Sequence, residues 1–164
     1  RRKNNLGITT MRYSYRLSLT TLYLLINFSL TAQNKDSIAV MNSATNFVTS
    51  FNNFDWAIFR ASFTDDVTIF YPFWNQAKRL KGRQDIEAAW LTIFPEFVDP
   101  QNTRKLRISP QEINIQLYRK TAIVTFHLGD GVSTLSRRTL VMVKKKGNWK
   151  IAHLHASSVG ERRD

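Results

Sequence analysis

The sequence contains no cysteine. That excludes a disulfide framework, a thiolate metal site, a cysteine nucleophile and a lipid anchored on cysteine. Histidine is scarce, with three in 164 residues. Any imidazole chemistry must therefore come from His127, His153 and His155. No internal repeat divides the chain, and its length suits one domain with a real core. Acidic residues are missing from the first 32 positions, which carry Arg1, Arg2, Lys3, Arg12 and Arg16. That segment holds much of the total charge of +12, but the remainder is still basic. The balance admits an anionic ligand or surface. No helix-turn-helix, zinc finger or aromatic RNA-binding signature accompanies it, so nucleic acid is not an expected partner.

No apolar run is long enough to be a comfortable membrane span, which needs about 20 residues. The longest is Leu17 to Leu30, uncharged and preceded by Arg12 and Arg16. A small residue follows at Ala32. The pattern predicts a secretory signal peptide over 1–32, cleaved near Ala32, with 33–164 as the mature domain. The expected location is secreted or periplasmic, with no stable membrane span after leader cleavage. Leu30 fits the small-residue rule at the cleavage site less well, and an uncleaved N-terminal anchor is the alternative. Residues 1–10, ahead of Met11, read as an upstream extension or a misassigned start.

The rest of the chain changes period once. Ser37 to Phe51 places Ile38, Met41, Ala44, Thr45 and Val48 at helical spacing, widened by Phe47 and Phe51, with a break at Asn52-Asn53. Asp55 can cap a short helix from Trp56 to Phe63. After a turn at Thr64-Asp65-Asp66, Val67 to Tyr71 reads as a strand stopped by Pro72. A loop of aromatic and basic residues (Phe73, Trp74, Lys78, Arg79, Lys81) leads through Gly82 into a third helix, 83–97. Then 105–117, 121–128, 135–145 and 149–158 read as strands. Gly147 and Asn148 suit the last hairpin turn. Three helices beside an antiparallel meander predict an α+β fold.

Certain residues in this layout are specific. They are Asn53-Phe54-Asp55-Trp56 after the first helix, Phe63-Thr64-Asp65-Asp66-Val67 into the first strand, Leu80-Lys81-Gly82 before the third helix, and the close Gly147-Asn148-Trp149-Lys150-Ile151-Ala152-His153-Leu154-His155. Over about 36–159 the chain resembles the nuclear transport factor 2-like superfamily. Within it, the chain resembles the SnoaL-like group and the association domain of calcium/calmodulin-dependent protein kinase, which ends in a similar Trp-x-Ile-x-His-x-His strand. The resemblance implies a cone: a curved sheet wrapping the helices, with a pocket between them, and homodimers through the outer sheet face. Such a fold hosts enzymes, binders and assembly modules alike.

The resemblance also allows a test of ketosteroid-isomerase chemistry, which uses an Asp base and an oxyanion hole of Tyr and protonated Asp. By motif, the base position is Tyr71, the tyrosine donor is Phe47, and the second Asp falls near Leu140. None carries the required group, so that mechanism is not expected. Resemblance to the kinase domain puts its pocket arginines at His127, Ala156 and near Leu140. Thr125, Arg138, Leu140, Met142 and Leu154 are expected on the same face as His127, with Tyr71, Trp74 and Trp90 supplying aromatic walls. The candidate ligand-binding residues are thus Tyr71, Trp74, Trp90, Thr125, His127 and Arg138, with His127 the one candidate acid/base.

Strict alternation over 149–158 puts the pair His153 and His155 on one face of the strand, together with Trp149 and Ile151. Counting back from the turns puts Thr139 opposite His155 and about Ala122 opposite Thr139, which places His127 about five residues along the sheet, two strands over and on the other face. No third metal ligand joins the pair, and no metal or cofactor is expected. An interface role on the outer face fits them better. The basic run Lys144-Lys145-Lys146, with Lys150, reads as a solvated hairpin tip. Three functions remain. The first is an exported SnoaL-like domain binding a small, partly apolar or weakly anionic ligand. The second is an enzyme of isomerase, cyclase or hydrolase type on a cyclic carbonyl substrate, with His127 as acid/base and Tyr71 as oxyanion donor. The third is an oligomerisation module.

Overall fold

A computed structural model describes residues 33–72, 78–129 and 135–158. The leader expected at 1–32, Trp74, and most of the loop between the fourth and fifth strands lie outside the described residues. The chain divides into two compact units, 1–36 and 37–164. In the first, the described residues, 33–36, are helical. Among the described residues no helix is long and apolar enough to cross a membrane.

The second unit is α+β. Helix α1 covers 37–53 and buries Val40, Ala44, Phe47 and Val48, one stripe at helical spacing. Ile38 and Thr45, expected on that stripe, are exposed, Ile38 by 55%. The helix continues through Asn52-Asn53 rather than breaking there. Asn52 finds a distant partner: its side chain both donates to and accepts from the backbone of Ile108, at 2.9 Å each way. Phe54, at φ 54°, ends the helix. Helix α2 (Trp56–Ala61) starts at Asp55, whose carboxylate accepts from the Ile58 amide at 3.1 Å. Strand β1 is Phe63–Phe70 and strand β2 is Leu80–Lys81. Helix α3 is Arg83–Ile93, shorter than the 83–97 expected. Pro95 has no amide to extend the helix, and a 3-10 turn Pro95–Phe97 follows.

The remaining strands are β3 (Gln111–Tyr118), β4 (Thr121–Leu128), β5 (Ser136–Lys145) and β6 (Asn148–Ser158). The stretch 105–110, expected as strand, precedes the ladder instead. The sheet order is β2-β1-β6-β5-β4-β3. β3 to β6 form the antiparallel meander, and β1 runs parallel to β6. At the last hairpin, Lys146 (φ 50°) and Gly147 (φ 85°) carry the positive angles, as a two-residue primed turn requires. Asn148 is already paired with Lys145.

One bulge sets the faces of the sheet. Val141 pairs with His153 but Met142 pairs with Ile151, so Ala152 has no partner across the ladder. Alternation therefore shifts by one within β6. Trp149 and Ile151 are buried before the bulge, and Leu154 and Ala156 after it. The expectation that Trp149 and Ile151 share a face with His153 and His155 is corrected on this ground. The buried face continues through Leu140 and Met142 of β5 and Ala122, Val124 and Phe126 of β4. The helices pack on it through an aromatic cluster. Phe51 meets Trp90 at 5.2 Å and Phe94 at 4.9 Å between ring centroids, and Phe59 meets Phe97 at 4.7 Å.

Candidate ligand-binding site

A cavity of about 80 Å³ lies between the helices and the buried face of the sheet. That is several times the volume a single water needs. Helix α1 contributes Phe47, Val48 and Phe51, and α3 contributes Trp90 and Phe94. Tyr71 and Pro72 close it at the end of β1. Phe126, Leu128, Arg138, Leu154 and Ala156 form its sheet wall. The local sequence explains the space. Arg138 pairs across the ladders with Phe126 on one side and Ala156 on the other. The small Ala156 side chain leaves room that a larger residue would fill.

Three lining residues carry polar groups. The Tyr71 ring packs edge-on against Trp90 at 5.1 Å, and burial pushes its phenol pKa well above the ordinary value. It stays protonated near neutral pH. Among the described residues, the Trp90 indole N–H is buried without an acceptor. Arg138 places one terminal nitrogen, Nη1, on protein acceptors: it donates to Ser136 Oγ at 2.5 Å and to the Arg137 carbonyl at 2.8 Å. Burial lowers its pKa from the ordinary value, and no carboxylate among the described residues pairs with it. A guanidinium nevertheless remains charged in proteins.

The structure therefore brings Tyr71, Trp90 and Arg138 together. It does not bring Thr125 or His127 to them. Val124 pairs with Leu140 and Phe126 with Arg138, so the even-numbered residues of β4 face the cavity. Thr125 and His127 point to the other face. A one-residue slip in assigning a strand moves every side chain across the sheet, which is how His127 was expected inside. Its Nδ1 lies 3.9 Å from Glu112 Oε2, a carboxylate whose side chain is 86% exposed. Phe47, expected only as the position of a missing tyrosine, does line the cavity. The apolar walls Phe51, Phe94, Ile108 and Leu128 were not singled out beforehand. The α1 stripe could have indicated Phe51.

All three histidines lie on the outer face. Thr125, Thr139 and His155 form one cross-strand row, and His127, Arg137 and Ser157 the next on that face. The expected opposition of Thr139 and His155 is observed, but Ala122 pairs with Met142, not Thr139. His127 is thus on the order of 12 Å from His155, two residues along and two strands over. Among the described residues no three His, Asp or Glu converge as a metal group would need. The Thr68 hydroxyl and His153 Nδ1 are hydrogen-bonded at 2.7 Å. Burial first, then neighbouring His155, lowers the His153 pKa.

The SnoaL-like domain family model matches residues 40–160. No curated protein matches the chain. Among solved structures, one similar chain is a candidate dehydratase of the nuclear transport factor 2-like family from Streptomyces avermitilis. It is 20% identical with a TM-score of 0.64, over 77% of this chain and 98% of that one. A nuclear transport factor 2-like protein of unknown function from Pseudomonas putida is 19% identical with a TM-score of 0.62, over 77% and 87%. A ketosteroid isomerase-like protein from Erwinia carotovora atroseptica is 17% identical with a TM-score of 0.56, over 75% and 95%. At these identities the likeness establishes the cone fold alone.

Proposed function

This chain belongs to the SnoaL-like domain family, and we propose that its cone binds a small, largely apolar molecule without catalysing proton abstraction on it. The observation that carries this reading is the chemistry of the cavity wall. Its apolar surface is interrupted by a phenol, an indole and a guanidinium, and near neutral pH these are hydrogen-bond donors. Pockets of this composition orient a ligand through a few polar groups. Enolisation needs a group that takes a proton from carbon. Among the described residues the lining supplies none, and a protonated phenol stands where the isomerase carboxylate would be.

The enzyme reading built on His127 and Tyr71 fails on placement. The two side chains lie on opposite sides of the sheet, and one substrate cannot touch both. The reading retains export, supported by the basic-then-apolar pattern of 1–32. It also retains a homodimer through the outer face, where Phe70 lies against His153 and His155 at 5.9 and 5.6 Å. Intact mass of protein recovered from its host and sedimentation of the purified chain test these two parts.

For the pocket, the probe is N-phenyl-1-naphthylamine, a neutral dye that brightens in apolar surroundings. Saturable brightening is expected with the native chain, and its loss with Ala156→Phe, which fills the cavity. The circular dichroism of the variant should be unchanged. Brightening that persists in a folded Ala156→Phe protein would refute the site.

A further inference from the structure

The hydrogen bonding of Arg138 divides its guanidinium into a used corner and an open edge. Its five N–H donors are held in one plane. The two on Nη1 are taken by Ser136 and Arg137. The Nε–H and the two on Nη2 have no acceptor among the described residues. Nε and Nη2 form one of the two-pronged edges that match the parallel oxygens of a carboxylate. The residue lines the cavity between Phe126 and Ala156, in otherwise apolar surroundings. A part-buried charge with no counter-ion among the described residues destabilises a fold that could carry a hydrophobic residue there. Its presence is explained when the ligand supplies the counter-ion.

We infer that the ligand of this cavity is a small apolar monocarboxylate, its two oxygens seated on the Nε/Nη2 edge of Arg138 and its apolar body against Phe47, Phe51 and Trp90. The inference rests on the pocket reading and specifies its ligand class. A single cation matches a single negative charge. A phosphate dianion would leave one charge uncompensated among aromatic walls, where desolvation is most costly. Trp90, whose indole N–H has no acceptor among the described residues, also lines the cavity and would suit a further oxygen on the ligand body.

The test uses trans-cinnamate and its neutral amide, cinnamamide, which share size and shape. Calorimetry at neutral pH on the full chain should show cinnamate binding about 10- to 100-fold more tightly than cinnamamide, the range expected for hydrogen bonds to charged groups. Arg138→Met should erase that preference while still binding N-phenyl-1-naphthylamine, which verifies a folded, open cavity. Arg138→Lys keeps the charge but loses the fork, and should fall between. A purely structural role for Arg138 would lower the melting temperature of the Met variant. The ligand role leaves it unchanged or raised. Equal affinity for acid and amide, or cinnamate that fails to displace a dye that does bind, overturns the carboxylate inference and leaves the pocket standing. Absence of dye binding to the native chain removes the pocket reading and this inference with it.

Discussion

The two faces of the sheet are built from alternate residues of the same strands, yet they have little chemistry in common. The cavity side of β4, β5 and β6 presents Val124, Phe126, Leu140, Leu154 and Ala156, and among the described residues that line the cavity Arg138 is the charged one. Lys144, on the same face of β5, lies over Trp149 at the hairpin end. The outer side presents Thr125, His127, Arg137, Thr139, His153 and His155. Every histidine of the chain is on the outer side. The lesson is that candidate chemistry cannot be assigned to a strand, only to a face. In this chain a single unpaired residue, Ala152, fixes which face each half of β6 shows.

The sharpest way to break the contrast is therefore to delete Ala152. Strict alternation would return to β6, and either Trp149 and Ile151 or Leu154 and Ala156 would turn outward. All four are buried at present. Exposing such a pair while turning its neighbours inward should abolish cooperative unfolding, read by urea denaturation. Retention of a native-like transition would mean that the bulge can relocate. The next effect compares neighbours on β5. Leu140 is 0% exposed, and Leu140→Ala should cost about 2–5 kcal/mol. Thr139→Ala, on the outer side, should stay within about 0.5 kcal/mol for the isolated chain. A comparable loss at Thr139 would show that the outer face is also part of a core, as a tight dimer would make it.

Much of the fold was legible in the sequence because its signals are local. The change from helical to strand period, the cap at Asp55, the turn at Gly147 and the stop at Pro72 each depend on a few neighbouring residues. The site was less legible because it depends on register. Tyr71 and Trp90 are placed by the strand end and helix stripe that carry them, and both were expected in the cavity. Arg138 was also expected there, but Thr125 and His127 were assigned to the same face by an offset of one residue in β4. The alternation of β4 did carry the answer: Ala122, Val124, Phe126 and Leu128 are all apolar, whereas Thr121, Thr125 and His127 are polar, with Ile123 the one exception. The pairing of Val124 with Leu140 agrees with that parity. The bulge is silent, since Ala152 has no turn-forming or conformational signature.

A third effect tests what the charge in the cavity wall is for. In the unliganded protein, Arg138→Met replaces a partly buried guanidinium with an apolar chain of similar reach. The melting temperature should hold or rise by a few degrees, about what 1 kcal/mol produces in a domain of this size. The same substitution at Arg83 should behave oppositely. Arg83 bonds the carboxylates of Asp65 and Glu87 and the carbonyls of Arg60 and Phe63. Losing those bonds leaves acceptors of the α2–β1 corner without their donor, and stability should fall. Two arginines with opposite responses would separate a structural cation from one held for a ligand.

The smallest effect belongs to the outer face. The His153 pKa is lowered in the folded state, chiefly by burial and secondarily by His155. The unfolded chain therefore takes up a proton at His153 before the native one does as pH falls. Above the unfolded value, near 6.5, both states are neutral at this position and it has no effect on stability. Below that value the unfolded state binds more protons, so stability falls with decreasing pH until the native imidazole also titrates. Melting temperatures of the native chain should thus decline modestly between pH 7 and 5.5. His153→Gln, which retains a hydrogen-bonding group for Thr68, should flatten that part of the profile. If protonation instead acts through dimer contacts, the decline will steepen at low protein concentration, because dissociation then adds to unfolding. An identical profile in the native chain and the Gln variant would assign any pH dependence to other groups. A concentration-independent decline would confine the His153 effect to the single chain.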